Sequence, residues 1–430
     1  MHIVTLHVAN STFINKGEEM NQDHDVMVPQ ELSATGTLSG VEADGDELNR
    51  LDPFDPEKIS IDAKVVTMDA LIRRLIGGTI RLAPAFQRNE VWNIERKSQL
   101  IESMMLMIPL PMFYVAADEK GNWDVVDGLQ RLTTIKEFVL GNAFMETRDE
   151  KLRGQGFRLR FMEFWGDKYN GLMFCKLPQG LTTRILETEF RFTIINPGTP
   201  EEVKRNIFKR INTGGMPLTS QEIRHALYQG PSTLLLEELS TTGFFLDATS
   251  HSVDDSRMAA RELILRFFAF SIQRHTGYPR TSDMDSFLSN TMRIINLMPD
   301  LDNNKLVKIF KNTDIPAFRY NDIELLKKRF KRAMVRSEVL FGRHAFRKSF
   351  GNYRRSPINK TLFEVWGNVL ADLSKDEFQS LVANKDGFNS EYSSMLSDEN
   401  FMAAISKDSW KYAGVLSRYS AIQTLVRKYI

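Results

Sequence analysis

Residues 112–139, MFYVAADEKGNWDVVDGLQRLTTIKEFV, decide the fold. The run IPLPMFYVAAD reads as a proline-entered strand that turns at Asp118-Glu119-Lys120-Gly121-Asn122. WDVVDG follows as a second short strand, the hairpin partner of the first. LQRLTTIKEFVLGN then reads as a helix closed by Gly141. A glycine between strand and helix lets the backbone approach a ligand closely, and the first helical N–H groups are free to bind an anion.

The flanks extend this pattern. Upstream, VVTMDALIRRLIGG reads as a helix with Met68, Leu71, Ile72, Leu75 and Ile76 recurring at three and four, ended by Gly77-Gly78. TIRLAPAFQRNEVW reads as an extended loop and IERKSQLIESMMLM as a second helix. Downstream, 143–195 reads as a β-containing insertion whose last strand is ETEFRFTIIN. Beyond Pro197-Gly198-Thr199-Pro200 the three–four periodicity is continuous. The expected class is therefore α+β: a small α/β domain over 58–198, then an all-helical domain over 199–430.

The chain has 430 residues, 42% hydrophobic and 26% charged, which is the composition of a soluble globular protein. Its single cysteine, Cys175, excludes a disulfide framework and a Cys-rich metal site. Apolar runs fall short of the ~18–20 residues that span a bilayer, and the first residues do not read as a signal peptide. A reduced, cytoplasmic protein with no membrane partner is expected. Lys+Arg (56) and Asp+Glu (55) nearly balance, but residues 1–57 hold twelve acids and two bases, leaving +11 on the rest. That acidic, aromatic-poor lead is expected to be a disordered tail.

Chemistry concentrates at Asp127-Gly128-Leu129-Gln130-Arg131. Arg131 suits a bidentate phosphate contact; Asp127 suits helix capping, Mg²⁺ or a water; Gln130 suits positioning that water. A plain Asp-capped helix start is the alternative. A second polar cluster, Gln87, Arg88 and Trp92, combines a loop arginine with an aromatic, a pairing suited to phosphate contact plus base stacking. There the alternative is that Trp92 anchors the next helix.

These residues resemble a known family. Phe86-Gln87-Arg88, Trp92, Leu100-Ile101-Glu102-Ser103, Ile108-Pro109-Leu110-Pro111 and Val126–Thr134 stand in the order of the N-terminal domain of GmrSD-type restriction endonucleases, the DGQQR family of the ParB/sulfiredoxin-like fold. Ile207–Gly215 with Leu218–Arg224, then Asp285–Leu288, Phe341-Gly342 and Ile358–Lys360, continue the likeness. Leu129 departs from it, since the family usually has Gln there. The resemblance implies nucleotide binding and hydrolysis, with DNA nicking or sensing in anti-phage defence. It carries the site to Gln87, Arg88, Asp127, Gly128, Gln130 and Arg131, with Asn212 added; Asn212 also reads as part of a helix-terminating turn. Larger members end in an HNH nuclease domain. Here His225, His251, His275 and His344 lack the hairpin context such a site needs, so a partner protein is expected to supply nuclease activity.

Residues 327–355 hold eleven bases and one acid, interleaved with aromatics. Lys327, Lys328, Arg329, Arg347 and Lys348 are the candidate nucleic-acid contacts, and a solvated helix face is the alternative. Together these readings give a nucleotide-dependent, DNA-associated defence protein that uses a nucleoside triphosphate with Mg²⁺ at Asp127. A non-catalytic nucleotide-switched module and a metal-dependent nickase stand as alternatives.

Overall fold

The computed structural model describes residues 28–43, 59–82, 92–211, 218–280, 283–310, 315–351, 353–407 and 409–430. A short hairpin comes first: β1 (Gln30–Leu32) and β2 (Leu38–Glu42). Next come β3 (Ile61–Thr67), α1 (Met68–Ile76), β4 (Ile80–Arg81) and α2 (Ile94–Met105). The quoted stretch forms β5 (Phe113–Ala117), β6 (Trp123–Asp127) and α3 (Leu129–Val139). Short α4 (Asn142–Thr147), α5 (Gly166–Tyr169) and α6 (Gln179–Leu186) lead to β7 (Glu189–Ile195). The five strands β3 to β7 make one mixed sheet in the order β3-β7-β5-β6-β4. The class is α+β.

From Glu201 onward the chain is helical: α7 (Glu201–Ile211), α8 (Ser220–Leu227), α9 (Pro231–Ser240), α10 (Gly243–Ala248) and α11 (Ala259–Ile272). Then come α12 (Met284–Ile295), α13 (Asn303–Ile309), α14 (Ile323–Phe341) and α15 (Lys360–Asp372). The last four are α16 (Lys375–Ala383), α17 (Lys385–Met395), α18 (Glu399–Ile405) and α19 (Tyr412–Arg427).

Two hydrophobic clusters form. One packs α1, α2 and α3 on the sheet and recruits Phe208 of α7 with Ile223 and Ala226 of α8. The other lies among the later helices, around Phe267, Phe330 and Trp366. α11 is buried on nearly every side because it runs through that second core, with Leu263, Ile264 and Phe268 enclosed and its buried charges Glu262 and Arg266 paired with each other.

Three expectations change. The apolar Val65-Val66 belongs to strand β3; the helix starts at Met68, where the Thr67 hydroxyl accepts from the Ala70 N–H and caps it. The 143–195 insertion is short helices and turns, with β structure only in β7. Disorder does not extend across 1–57, because 28–43 is an ordered hairpin on the helical half. Val41 is fully buried, Glu42 N–H donates to Ile358 O (2.9 Å), and Ile358 N–H donates to Gly40 O (2.8 Å). Gly40 sits at φ +80°, and a Cβ there would overlap the Ser252 carbonyl. The acids that made this segment look solvated are paired: Glu42 with Lys348 (2.7 Å) and Asn359 (2.9 Å), Glu31 with Lys360 (2.6 Å).

Deletion of residues 1–43 is therefore expected to destabilise the protein, and Val41→Ala alone should cost about 2 kcal/mol in urea unfolding. An unchanged midpoint for both variants would show that the hairpin adds nothing to the fold.

Candidate functional site

Asp127 ends β6 and Leu129 begins α3, so Gly128 carries the whole strand-to-helix turn. It is the N-cap residue, at φ 93° and ψ 12°, with no side-chain cap bond. The helix start is thus not capped by Asp127, which is the last strand residue. A left-handed backbone favours glycine, and a Cβ here would also overlap the Phe113 ring. Gly128 is required first by packing, before any ligand is considered.

Arg131, in the first turn of α3, folds back over this strand-to-helix junction. It donates to Asp127 Oδ2 (2.8 Å), to Pro111 O and to Met112 O (3.2 Å), and its guanidinium lies 4.4 Å from the Phe113 ring centroid. Burial pulls its pKa below the usual range, and Asp127 offsets part of that. The arginine therefore ties the Pro109–Pro111 strand entry to the turn. The Asp127 side chain is 38% exposed, against 12% for Arg131, so the carboxylate is the more accessible partner. Gln130 Oε1 accepts from the Trp92 N–H at 3.4 Å, which moors Trp92, just ahead of α2, against the turn. Leu129 is buried in the sheet-side cluster and faces the core.

The structure thus brings together Asp127, Gly128, Gln130, Arg131 and the Trp92 backbone. Gln87, Arg88 and Asn212 lie outside the described residues. Two hollows elsewhere do not contain the turn. One, of about 530 Å³, is lined by residues including Asp62, Lys64, Arg74, Trp123 and Asn196; the other lies beside β4 and Lys136.

The basic stretch is corrected at two positions. Arg329 is buried on Asp372 (2.7 Å) and Asn368, and Arg347 is buried on Ser356 O and Ser252 (2.6 Å). Both are internal ties and not surface cations. Lys327 pairs with Glu238 (2.7 Å) and Glu324 (3.2 Å), and Lys348 with Glu42, whereas Lys328 is exposed. His344 bonds Ser349 through Nδ1, and Asn359 caps α15.

Sequence reasoning missed two polar centres. The buried Glu102 carboxylate accepts from the N–H groups of Glu163 (2.8 Å), Phe164 (2.8 Å) and Trp165 (2.9 Å) and shapes that loop. The second surrounds α8. Arg224 meets Glu262 (3.1 Å) and Asp285, and Arg205 meets Asp285 (2.8 Å) and Ser286 (2.8 Å). An arginine in LTSQEIRHAL and the Asp285-Ser286 pair were the available signal. Beside them His225 is fully buried, and burial, then Arg261, lower its pKa to about 4.

Residues 72–229 match the GmrSD restriction endonuclease, N-terminal domain family. The chain carries a GmrSD N-terminal domain. No curated protein and no solved structure matches the chain. The GmrSD domain runs from within α1 through α8, so it takes in the Gly128 turn and the two helices that lend Phe208, Ile223 and Ala226 to the sheet-side core.

Arg131→Ala is expected to cost roughly 2–4 kcal/mol of folding stability, because it strands two carbonyls and a carboxylate. Gly128→Ala should be destabilising as well, and Phe113→Leu in the same chain should restore part of the loss; additive effects in this cycle would refute the proposed overlap.

His225 gives a pH test. Its folded pKa lies below the ordinary 6.5, so between about pH 6.5 and 4 the unfolded chain binds a proton that the native chain does not. Stability should fall as pH drops through that window, by up to about 3 kcal/mol. His225→Leu should flatten the slope by one proton in unfolding titrations; an unaltered slope would contradict the assignment.

Proposed function

We propose that this chain is a nucleotide-dependent, DNA-associated protein of a restriction-type defence system, with the Asp127–Arg131 turn as its phosphate site. The observation that carries the reading is the match to the GmrSD restriction endonuclease N-terminal domain over 72–229, a span that includes this turn. The turn's chemistry supports it. A helix start leaves N–H groups without an intrahelical acceptor, and this one adjoins the partly exposed Asp127 carboxylate, a group that can hold Mg²⁺ or orient water beside a phosphate. A ParB/sulfiredoxin-like relationship of the sheet belongs to the same proposal.

Among the described residues no group of three or more His, Cys, Asp or Glu gathers to hold a metal. Asp127 therefore fits Mg²⁺ as part of a nucleotide complex, in which phosphate oxygens and water supply the other ligands. In that arrangement water would attack the terminal phosphorus as its bond to the bridging oxygen breaks and the nucleoside diphosphate leaves; Asp127 would act through the ion or by accepting the water's proton, and Gln130 would orient that water. Arg131 acts as a positioning residue, since its own chain occupies it. Lys328 belongs to the remaining surface contact for DNA.

The word endonuclease in the family's description favours a second reading: the same carboxylate serves a metal-dependent DNA nickase. One experiment separates the readings. Purified protein with Mg²⁺ is given each nucleoside triphosphate and supercoiled plasmid, and phosphate release and nicking are followed. Asp127→Asn, which preserves an acceptor for Arg131, is expected to lower triphosphate turnover by about 10²- to 10⁴-fold. Nicking without phosphate release would favour the nickase. Absence of both, with folded protein, would sink the catalytic proposal.

A further inference from the structure

β3 is the long free edge of the five-stranded sheet among the described residues; β4, at the other edge, has two residues. Ile61–Val65 is exposed throughout, with Ile61 at 42% and Val65 at 54%. Its backbone phase follows from its pairing with β7. Asn196 N–H donates to Ser60 O (2.9 Å) and Met68 N–H to Thr188 O (3.2 Å), so even-numbered residues turn their backbone groups toward β7. Ile61, Ala63, Val65 and Thr67 therefore turn theirs outward. An exposed row of this kind is a template for another strand.

Edge strands are usually blunted by charge. Here the two charges are of opposite sign and lie either side of Ala63: Ile61-Asp62-Ala63-Lys64-Val65. We propose that β3 is a self-association edge, which pairs antiparallel with β3 of a second copy of this chain about a two-fold axis at Ala63. In that register Ala63 faces Ala63, and each Ile61 faces a Val65, all through the outward backbone groups. Each Asp62 then faces the other copy's Lys64, at non-hydrogen-bonded positions where opposing side chains come closest. Moving the axis by one residue sets Asp62 against Asp62 or Lys64 against Lys64, so charge selects one register. Asp62 also accepts from Asn196 Nδ2 (2.9 Å), which leaves its carboxylate further acceptor capacity. Ile61, Ala63 and Val65 line up on one face across the two-fold, and the sheet continues from one copy into the next.

Sedimentation equilibrium of the full chain at low ionic strength, over roughly 1–200 µM, reads this directly. The mass is expected to rise from 49.4 kDa toward twice that value. Lys64→Asp and Asp62→Lys should each weaken association about tenfold or more, and the double exchange Asp62→Lys with Lys64→Asp should restore it. Ala63→Pro removes an outward N–H without touching the β7 ladder, so it should abolish association with the circular dichroism unchanged. A protein that stays monomeric throughout, as it would with a segment of its own chain on the edge, overturns the proposal. So does a dimer that ignores the single reversals or fails to recover in the double exchange.

Discussion

Glu262 is a fully enclosed carboxylate, and the joint between the two halves of the molecule is built around it. Despite burial, Lys360, Arg224 and Arg266 hold its pKa well below the usual carboxylate range. Lys360 starts α15 and also reaches Glu31 of the hairpin, while Arg224 comes from α8, whose Ile223 and Ala226 lie in the sheet-side core. One ionised group thus fixes the hairpin, α8, α11 and α15 together. Attraction at such a site does little more than offset desolvation, but an unmatched buried charge costs several kcal/mol. The network contributes more to uniqueness of arrangement than to stability.

That division of labour recurs at the Gly128 turn. The residues that look most like ligand chemistry in the sequence are also the ones that hold the turn closed. Arg131 spends its donors on Pro111, Met112 and Asp127, and Gly128 makes room for Phe113. A motif can persist as spelling because the fold needs it. At this turn Asp127 keeps the more accessible side chain of the ion pair.

Much of the fold was legible in sequence because local physics sets it. Alternation and a glycine placed β5, β6 and α3, and three–four periodicity placed the later helices. What failed depended on distant partners. The 1–57 segment has the mean composition of a tail, yet LSGV within it meets Ile358 and Ser252, which no local window contains. Val65 and Val66 suit helix and strand alike, and pairing with Arg191 and Phe190 settles the matter. The basic stretch misled for a related reason: Arg329 and Arg347 count as charge in a sequence, but in the fold their neighbours are carbonyls, hydroxyls, an amide and one carboxylate. Of the site, the Asp127–Arg131 turn was readable by type, while its internal bonding was not.

The docked hairpin also sets an order of events during synthesis. Its partners, Lys348, Ile358 and Lys360, follow it by more than three hundred residues, so at about 5–20 residues per second the ribosome delivers them tens of seconds later. The sheet's own strands are complete by Ile195. The sheet half can thus consolidate on the nascent chain while the hairpin made before it still waits, and that hairpin is among the last elements to find its place.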